Sequence, residues 1–265
     1  MDKILLFIPM YNCEKQIVRV VDRIKALGED QNLFSQVMIV DNRSPDGSIR
    51  AALNAVKELS CPAMVVRNLE NYSLGGSHKV AFRYALENGF DYVVVLHGDD
   101  QGDIADLVPL IKRGDHRNLD CLLGARFHRD SKLVNYSRFR IFGNHVFNAL
   151  VSLCTLHRVL DLGAGLNLYS TRWLKGEPYL PFPNNLTFNV YLLLYGIYSG
   201  ARMTFFPLTW REEDQVSNAK LWKQTTEMLR LLARYLFGRK ALFAPRENQW
   251  TRPAYRFEEM KEGMV

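Results

Sequence analysis

Residues 93–103 read VVVLHGDDQGD, an apolar strand that runs into His97, Gly98, Asp99, Asp100, Gln101, Gly102 and Asp103. If the chain stays extended past Leu96, side chains two positions apart share a side. His97, Asp99 and Gln101 then point together. An imidazole, a carboxylate and an amide oxygen make a half-shell for a divalent cation. Oxygen donors suit Mg2+ or Mn2+, and the imidazole moves the preference toward Mn2+. Positions left open in such a shell would take substrate phosphates. The bland alternative makes Asp99 the cap of a helix starting near Ile104, but Asp103 is better placed for that task.

Two other clusters carry chemistry. In IVDNRSPDGS (39–48), Asp41 ends a strand and can accept hydrogen bonds from a base or ribose, whereas Asp46-Gly47 reads as a turn. NYSLGGS (71–77) places Gly75 and Gly76 at a helix start, where backbone N–H groups can meet an anion. Neither GxGxxG after the first strand nor GxxxxGK[ST] occurs, which argues against a dinucleotide fold and a P-loop.

The elements that must position these groups alternate between strand and helix. Strands are expected at 3–9, 36–42, 63–68, 91–97 and 120–126, with helices after the first four. Near-continuous apolar strands of this kind imply an α/β fold with a mostly parallel, Rossmann-like sheet and helices on both faces. Ligands in such sheets sit beyond the carboxyl ends of the strands. That rule gathers Pro9–Glu14, Asp41–Ser44, Asn68–Gly76 and His97–Asp103 into one crevice. Further on, 136–157 reads as a helix with Phe139, Phe142, Val146, Leu150 and Leu153 on one face. Residues 161–170 read as a loop entering a strand, 185–199 as a helix, 202–210 as extended, and 218–237 as an amphipathic helix.

The 265 residues, 48% hydrophobic and 23% charged, are long enough for one large domain with a real core. The last 20 residues are the one stretch that reads as disordered. Four scattered cysteines without CxxC spacing read as reduced thiols rather than a zinc or disulfide framework. The N-terminus is interrupted by Pro9 too soon for a signal peptide, and no window is apolar for long enough to span a membrane. The net charge is +6, and Lys220–Arg256 holds nine Lys or Arg against two Glu. Such a basic segment fits an anionic surface. These features divide the chain into an α/β domain over 1–215 and a basic amphipathic helix and tail over 216–265, the latter expected to attach peripherally to a membrane. Aromatic residues interleaved with basic ones on a groove are lacking outside that tail, so no nucleic-acid partner is expected.

The clusters, in their order, resemble family 2 glycosyltransferases of the GT-A fold, in the polyprenyl- or dolichol-phosphate sugar synthase branch. IPMYNCEK is similar to that family's VPxYNEE, IVDNRSPDGS to VVDDGSxDGT, and VVLHGDDQGD to its D-x-D-L-Q-H-P segment. CLLGARF resembles VxGSRF, and FRIFGNHVFN, DLGAGLNLYS and PLTWREEDQVSNAKL resemble the branch's R-x-x-GN, D-x-x-SGFR and W-x-x-R-x-x-G-x-SK segments. The resemblance implies that Pro9, Tyr11, Glu14 and Asp41 hold the nucleotide and that Arg126 reaches the donor diphosphate. It gives His97, Asp99 and Gln101 the metal, with His97 in place of an aspartate. Asp161 becomes a candidate base, and Arg140, Asn167, Arg211 and Lys220 fall on acceptor positions. Three departures stand out: Asn42 for the second aspartate of DD, Asn167 for the arginine of SGFR, and three acids in WREEDQ where the family is basic.

The implied activity is inverting, metal-dependent transfer from a UDP- or GDP-sugar to a polyprenyl phosphate, on the cytoplasmic face of the membrane. One rival is direct transfer to a saccharide hydroxyl, which Asn167 and the acidic loop favour. Two others are a nucleotidyltransferase, which lacks its glycine signature here, and a non-catalytic nucleotide or nucleic-acid binding module. The oligomeric state is not readable from the sequence.

Overall fold

The computed structural model describes residues 2–213, 221–244, 247–251 and 253–264. In chain order its elements are β1 (Ile4–Met10), α1 (Glu14–Lys25), β2 (Gln36–Asp41), α2 (Ser48–Ala55), β3 (Ala63–Asn68), α3 (Ser73–Glu87), β4 (Tyr92–Leu96) and α4 (Val108–Arg113). There follow β5 (Cys121–Ala125), β6 (Lys132–Val134), α5 (Arg138–Thr155), β7 (Leu166–Ser170), α6 (Thr171–Leu174), α7 (Phe188–Ser199), β8 (Met203–Pro207), β9 (Thr209–Arg211), α8 (Leu221–Phe243) and β10 (Phe257–Glu259).

Eight strands form one sheet in the order β10-β3-β2-β1-β4-β7-β5-β8, and β6 pairs with β9 beside it. Strands β1 to β4 are parallel, as their apolar runs imply, but β7 enters antiparallel between β4 and β5, and β10 lies antiparallel on β3. The expected mostly parallel sheet is therefore a mixed one. A strand buried on both faces shows the same apolar run in either direction, so β7 gives no sign of its polarity. The expected disorder of the last 20 residues is also corrected, since β10 extends the sheet edge from within them.

Alternation along each strand feeds two cores. Leu5 and Phe7 of β1 join α3, α5, α7 and α8 on one face. Ile4, Leu6, Ile8 and Met10 join α1, α2 and the segment before α4 on the other. The predicted face of α1, Ile17, Val20, Val21 and Ile24, is buried there. Helix α8 places Leu231, Leu232 and Tyr235 in the first core and carries a break at Gly238.

A buried lysine ties the C-terminal segment to this frame. Lys79 of α3 donates to the carbonyl oxygens of Leu180 and Phe182, to Asn184 Oδ1 and to the Tyr255 hydroxyl, at 2.6–3.2 Å. Burial draws its ammonium down to about 7.

Candidate functional site

The carboxyl ends of β1 to β4 open on one side of the sheet, and the backbone is strained there. Asn12, Arg43, Ser73 and Asp100 follow those four strands and all hold positive φ, between 53° and 66°. Such conformations cost on the order of 1–3 kcal/mol each and gather at functional sites.

After β4 the chain stays in the ladder for two residues: the His97 N–H donates to Gly165 O and the Gly98 N–H to Pro9 O. It then turns, with Asp100 left-handed at φ 61°. Continuous extension through Gln101 therefore does not hold. Two arginines of α1 clamp the turn: Asp100, only 1% exposed, receives Arg19 Nε at 2.6 Å and Arg23 Nε at 2.7 Å. These arginines were not singled out from sequence, although their i, i+4 spacing sets them on one helix face. Asp103 caps the next turn by accepting from the Ala105 N–H, as expected.

Asp99 and His97 lie at the floor of the crevice, partly open to solvent but densely surrounded. Asp99 Oδ1 accepts the Gln101 N–H, and burial pushes the Asp99 carboxyl up to about 6. His97 meets His78 edge-on at 6.0 Å, and its Nε2 is buried with no hydrogen-bond partner among the described residues. Gly165 is required beside it, because a Cβ there would come within 2.9 Å of the His97 ring. Burial and then the Arg126 charge draw His97 down to about 4, while burial and His97 draw His78 down to about 3.

No group of three or more His, Cys, Asp or Glu able to hold a metal occurs among the described residues. The crevice floor offers the Asp99 carboxylate and the His97 Nε2 that has no hydrogen-bond partner among the described residues. That donor set fits a Mg2+ or Mn2+ ion that takes much of its shell from substrate phosphates and water. It does not fit an ion caged by protein alone.

The other expected residues fall into two groups. Pro9 is buried in β1, Tyr11 is exposed at the mouth, and Glu14 packs over Gly47, where a Cβ would collide with its carboxylate. Asp41 is fully buried and is occupied in shaping its own loop: it accepts from the Arg43 and Ser44 N–H groups and from Arg67 Nε. Asn42 accepts from Asn68 and the Tyr72 N–H and donates to Asn71, a network that fixes the start of α3. Asp46 makes the expected turn with Ser48. The Gly75 N–H, read as an anion donor, is spent on Asn184 O at 2.6 Å. Gly75 and Gly76 instead permit close approach, since a Cβ would meet Phe188 at 2.8 Å or Tyr72 at 2.3 Å.

Beyond the end of β5, Arg126 forms a forked ion pair with Asp161, which precedes β7. Asp161 receives Arg126 Nη2 at 2.7 Å, Nε at 2.8 Å and the Arg126 N–H at 2.8 Å, and also the Gly163 N–H. Burial works against the Arg126 charge, yet the Asp161 carboxylate outweighs it and holds the guanidinium above its usual range. Trp210 lies over the guanidinium at 5.1 Å. Asn167 accepts from the Gly124 N–H and donates to Ala164 O. Asp161, Asn167 and Asn189 border a cavity of about 20 Å3, room for one water. Arg211 pairs with Asp103 at 3.0 Å and Arg140 with Glu212 at 2.5 Å, so one acid of the WREEDQ loop neutralises a basic acceptor candidate. Lys220 lies outside the described residues.

The histidines predict a pH dependence. A group whose folded pKa lies below its unfolded value costs stability once the unfolded chain takes up its proton. His97 loses stability as pH falls below about 6.5, whereas Asp99 gains it as pH falls below about 6, and the two nearly offset down to about 4. His78 remains unopposed down to about 3. Stability should therefore fall by about 2 kcal/mol from pH 7 to pH 5. Urea melts across that range should show the loss, and His78→Leu should flatten it.

Residues 6–176 match the profile of glycosyl transferase family 2. An undecaprenyl-phosphate mannosyltransferase of Micrococcus luteus is 28% identical over 65% of this chain and 68% of its own. An uncharacterized protein of Methanocaldococcus jannaschii is 21% identical over 88% of this chain and 99% of its own. The solved glucosyl-3-phosphoglycerate synthase of Mycobacterium tuberculosis, in complex with Mn2+, UDP and phosphoglyceric acid, superposes with a TM-score of 0.61 at 16% identity. That superposition covers 93% of this chain and 80% of the other. With a family profile spanning well over half of its length and a GT-A-like sheet beneath the crevice, the chain belongs to glycosyl transferase family 2, as an enzyme related to the polyprenyl-phosphate sugar synthases.

Proposed function

We propose that the enzyme transfers a sugar, with inversion, from a UDP- or GDP-sugar to a polyprenyl phosphate. The observation that carries this reading is the meeting of Asp99 with four strained strand ends in one crevice. Tyr11 at the mouth offers a ring for the base, and Pro9, Glu14 and the loop shaped by Asp41 form the wall beside it. A Mg2+ or Mn2+ ion held by Asp99, with His97 beside it and the donor's phosphates completing the shell, would neutralise charge on the departing diphosphate. Arg126 adds a fixed positive charge next to that space. Asp161 orients the acceptor through the geometry that Arg126 imposes on it. A phosphate acceptor arrives already anionic and needs no base, whereas a hydroxyl would hand its proton to Asp161. The acceptor assignment is supported by the Micrococcus relative, an undecaprenyl-phosphate mannosyltransferase.

Transfer to a saccharide hydroxyl is the second reading. Asn167 favours it, because its amide is closed onto Gly124 and Ala164 and offers no cation to a phosphate. Membership of an enzyme family displaces the non-catalytic binding module.

The test is thermal stabilisation by UDP, GDP and dTDP with and without Mn2+. Saturation at a hundred times Kd adds about 2.7 kcal/mol, a rise of roughly 5–10 °C. One nucleotide should stand out and its effect should grow with metal. No shift with any of the three would sink the donor site. Transfer to short polyprenyl phosphates, set against oligosaccharides, then separates the two acceptors.

A further inference from the structure

Arg43 follows β2 with φ 66°, in the left-handed region that glycine enters freely and other residues enter at a cost. The segment VVDDGSxDGT, which IVDNRSPDGS resembles, has glycine at this position. The arginine side chain gives the fold nothing in exchange. It is exposed, and its guanidinium makes no hydrogen bond or ion pair among the described residues. Its backbone N–H donates to Asp41 Oδ2, a bond that glycine would make equally well. The arginines at other strand ends behave differently: Arg67, Arg126 and Arg211 are each matched by a carboxylate, of Asp41, Asp161 and Asp103. Strain kept at a crevice by an unmatched cation points to a partner outside the chain.

Sheet geometry says which end of a nucleotide that partner is. Met10 of β1 lies opposite Asp41 of β2, the Asn42 N–H donates to Met10 O, and the Asn12 N–H donates to Ser44 Oγ. Tyr11, 44% exposed, and Arg43 therefore leave the sheet on adjacent strand ends. Strand β1 separates β2 from β4, so Arg43 stands two strand spacings, about 10 Å, from the strand that leads to Asp99. A diphosphate gathered at Asp99 leaves Arg43 beside the nucleoside. The carboxylate expected to read the base there, Asp41, is occupied by the Ser44 N–H and Arg67 Nε.

We propose that Arg43 selects the base of the donor, taking one that carries a ring carbonyl and refusing one that carries an amino group in its place. A guanidinium only donates. Uracil O4 and guanine O6 accept, whereas the amino groups at cytosine N4 and adenine N6 also donate and would set donor against donor. The Tyr11 ring can stack on any base, so it adds affinity without choice, and the choice falls to Arg43. The planar fork makes one bond to uracil O4 and two to guanine O6 and N7. The inference rests on the donor site proposed above and deepens it.

The test is calorimetric titration of the full chain with UDP, CDP, GDP and ADP in the presence of Mn2+. The native chain should bind UDP over CDP, or GDP over ADP, by about tenfold or more, the worth of a hydrogen bond from a charged group. Arg43→Gly should lose about that factor for the carbonyl-bearing nucleotide and leave its amino counterpart unmoved. Its melting temperature should stay level or rise, because glycine relieves the left-handed strain. Arg43→Ala keeps the strain but removes the fork, and should lose the same discrimination, which ties the effect to the side chain rather than to a relaxed loop. Equal loss for all four nucleotides would place Arg43 on phosphate and overturn the inference. So would a native chain that binds both kinds of base alike, or variants that discriminate as well as the native chain. Those outcomes leave the donor site standing, whereas a native chain that binds none of the four removes the donor site and this inference together.

Discussion

Asp161→Asn should lower the melting temperature by about 10 °C before any question of catalysis arises. Asp161 is nearly inaccessible and takes three hydrogen bonds from Arg126, two from the guanidinium and one from the backbone. Removing one partner of a buried pair leaves the other charged and unmatched, at a cost of about 3–5 kcal/mol. For a chain of this size each kcal/mol moves the midpoint by roughly 2–4 °C. Arg126→Met should cost a similar amount, and the double variant Arg126→Met/Asp161→Asn should cost clearly less than the two singles added together, because they share one interaction. Thermal denaturation of the four proteins measures this. Strict additivity would show that the pair contributes little to the fold, and would return Asp161 to a mainly chemical role. If Asp161 also orients the acceptor, Asp161→Asn should raise the acceptor KM beyond what its stability loss explains at a temperature where it is fully folded.

That pair shows where the sequence stops being informative. Arg126 and Asp161 are 35 positions apart and meet because β7 runs antiparallel beside β5, an arrangement without local signature. The strand ends were legible because apolar runs stop abruptly at polar clusters, and the sheet rule then collects the clusters in one place. The Asp103 cap and the Asp46 turn were legible because each depends on neighbours two or three residues away. The direction of Asp100 was not. Period-two alternation presumes extension, and the clamp that breaks it comes from Arg19 and Arg23, about eighty positions earlier. Gly75 and Gly76 misled in the same way, since a glycine pair at a helix start reads alike whether it admits an anion or the side chains of Tyr72 and Phe188. The stripe of α5 was visible as a stripe, but Phe139, Phe142, Val146 and Leu153 face outward, and periodicity cannot say which side of a helix faces water.

Asp99→Asn should move stability and activity in opposite directions. The carboxylate sits on the crevice floor, and burial pushes it up to about 6, against an ordinary value of 3.8. At pH 7 the folded state therefore pays for ionising it, up to about 3 kcal/mol by linkage, and less in practice because part of the side chain reaches solvent. The neutral amide has the same shape and removes that cost, so Asp99→Asn should be as stable as the native protein at pH 7 or more stable by about 1–2 kcal/mol. Below the folded pKa the two should converge. Turnover of the nucleotide-sugar should nonetheless drop by roughly a hundredfold or more, since the carboxylate would hold the cation that offsets developing diphosphate charge, and such stabilisation is worth about 2.7–4 kcal/mol in a preorganised site. The Mn2+-dependent part of the nucleotide shift should vanish with it. Such a trade of stability for activity is the mark of a residue kept for its chemistry. Denaturant melts at pH 7 and pH 5, paired with donor turnover, read both quantities from the same two proteins. A variant that is both destabilised and fully active would remove Asp99 from the site and place it among the turn residues with Asp100.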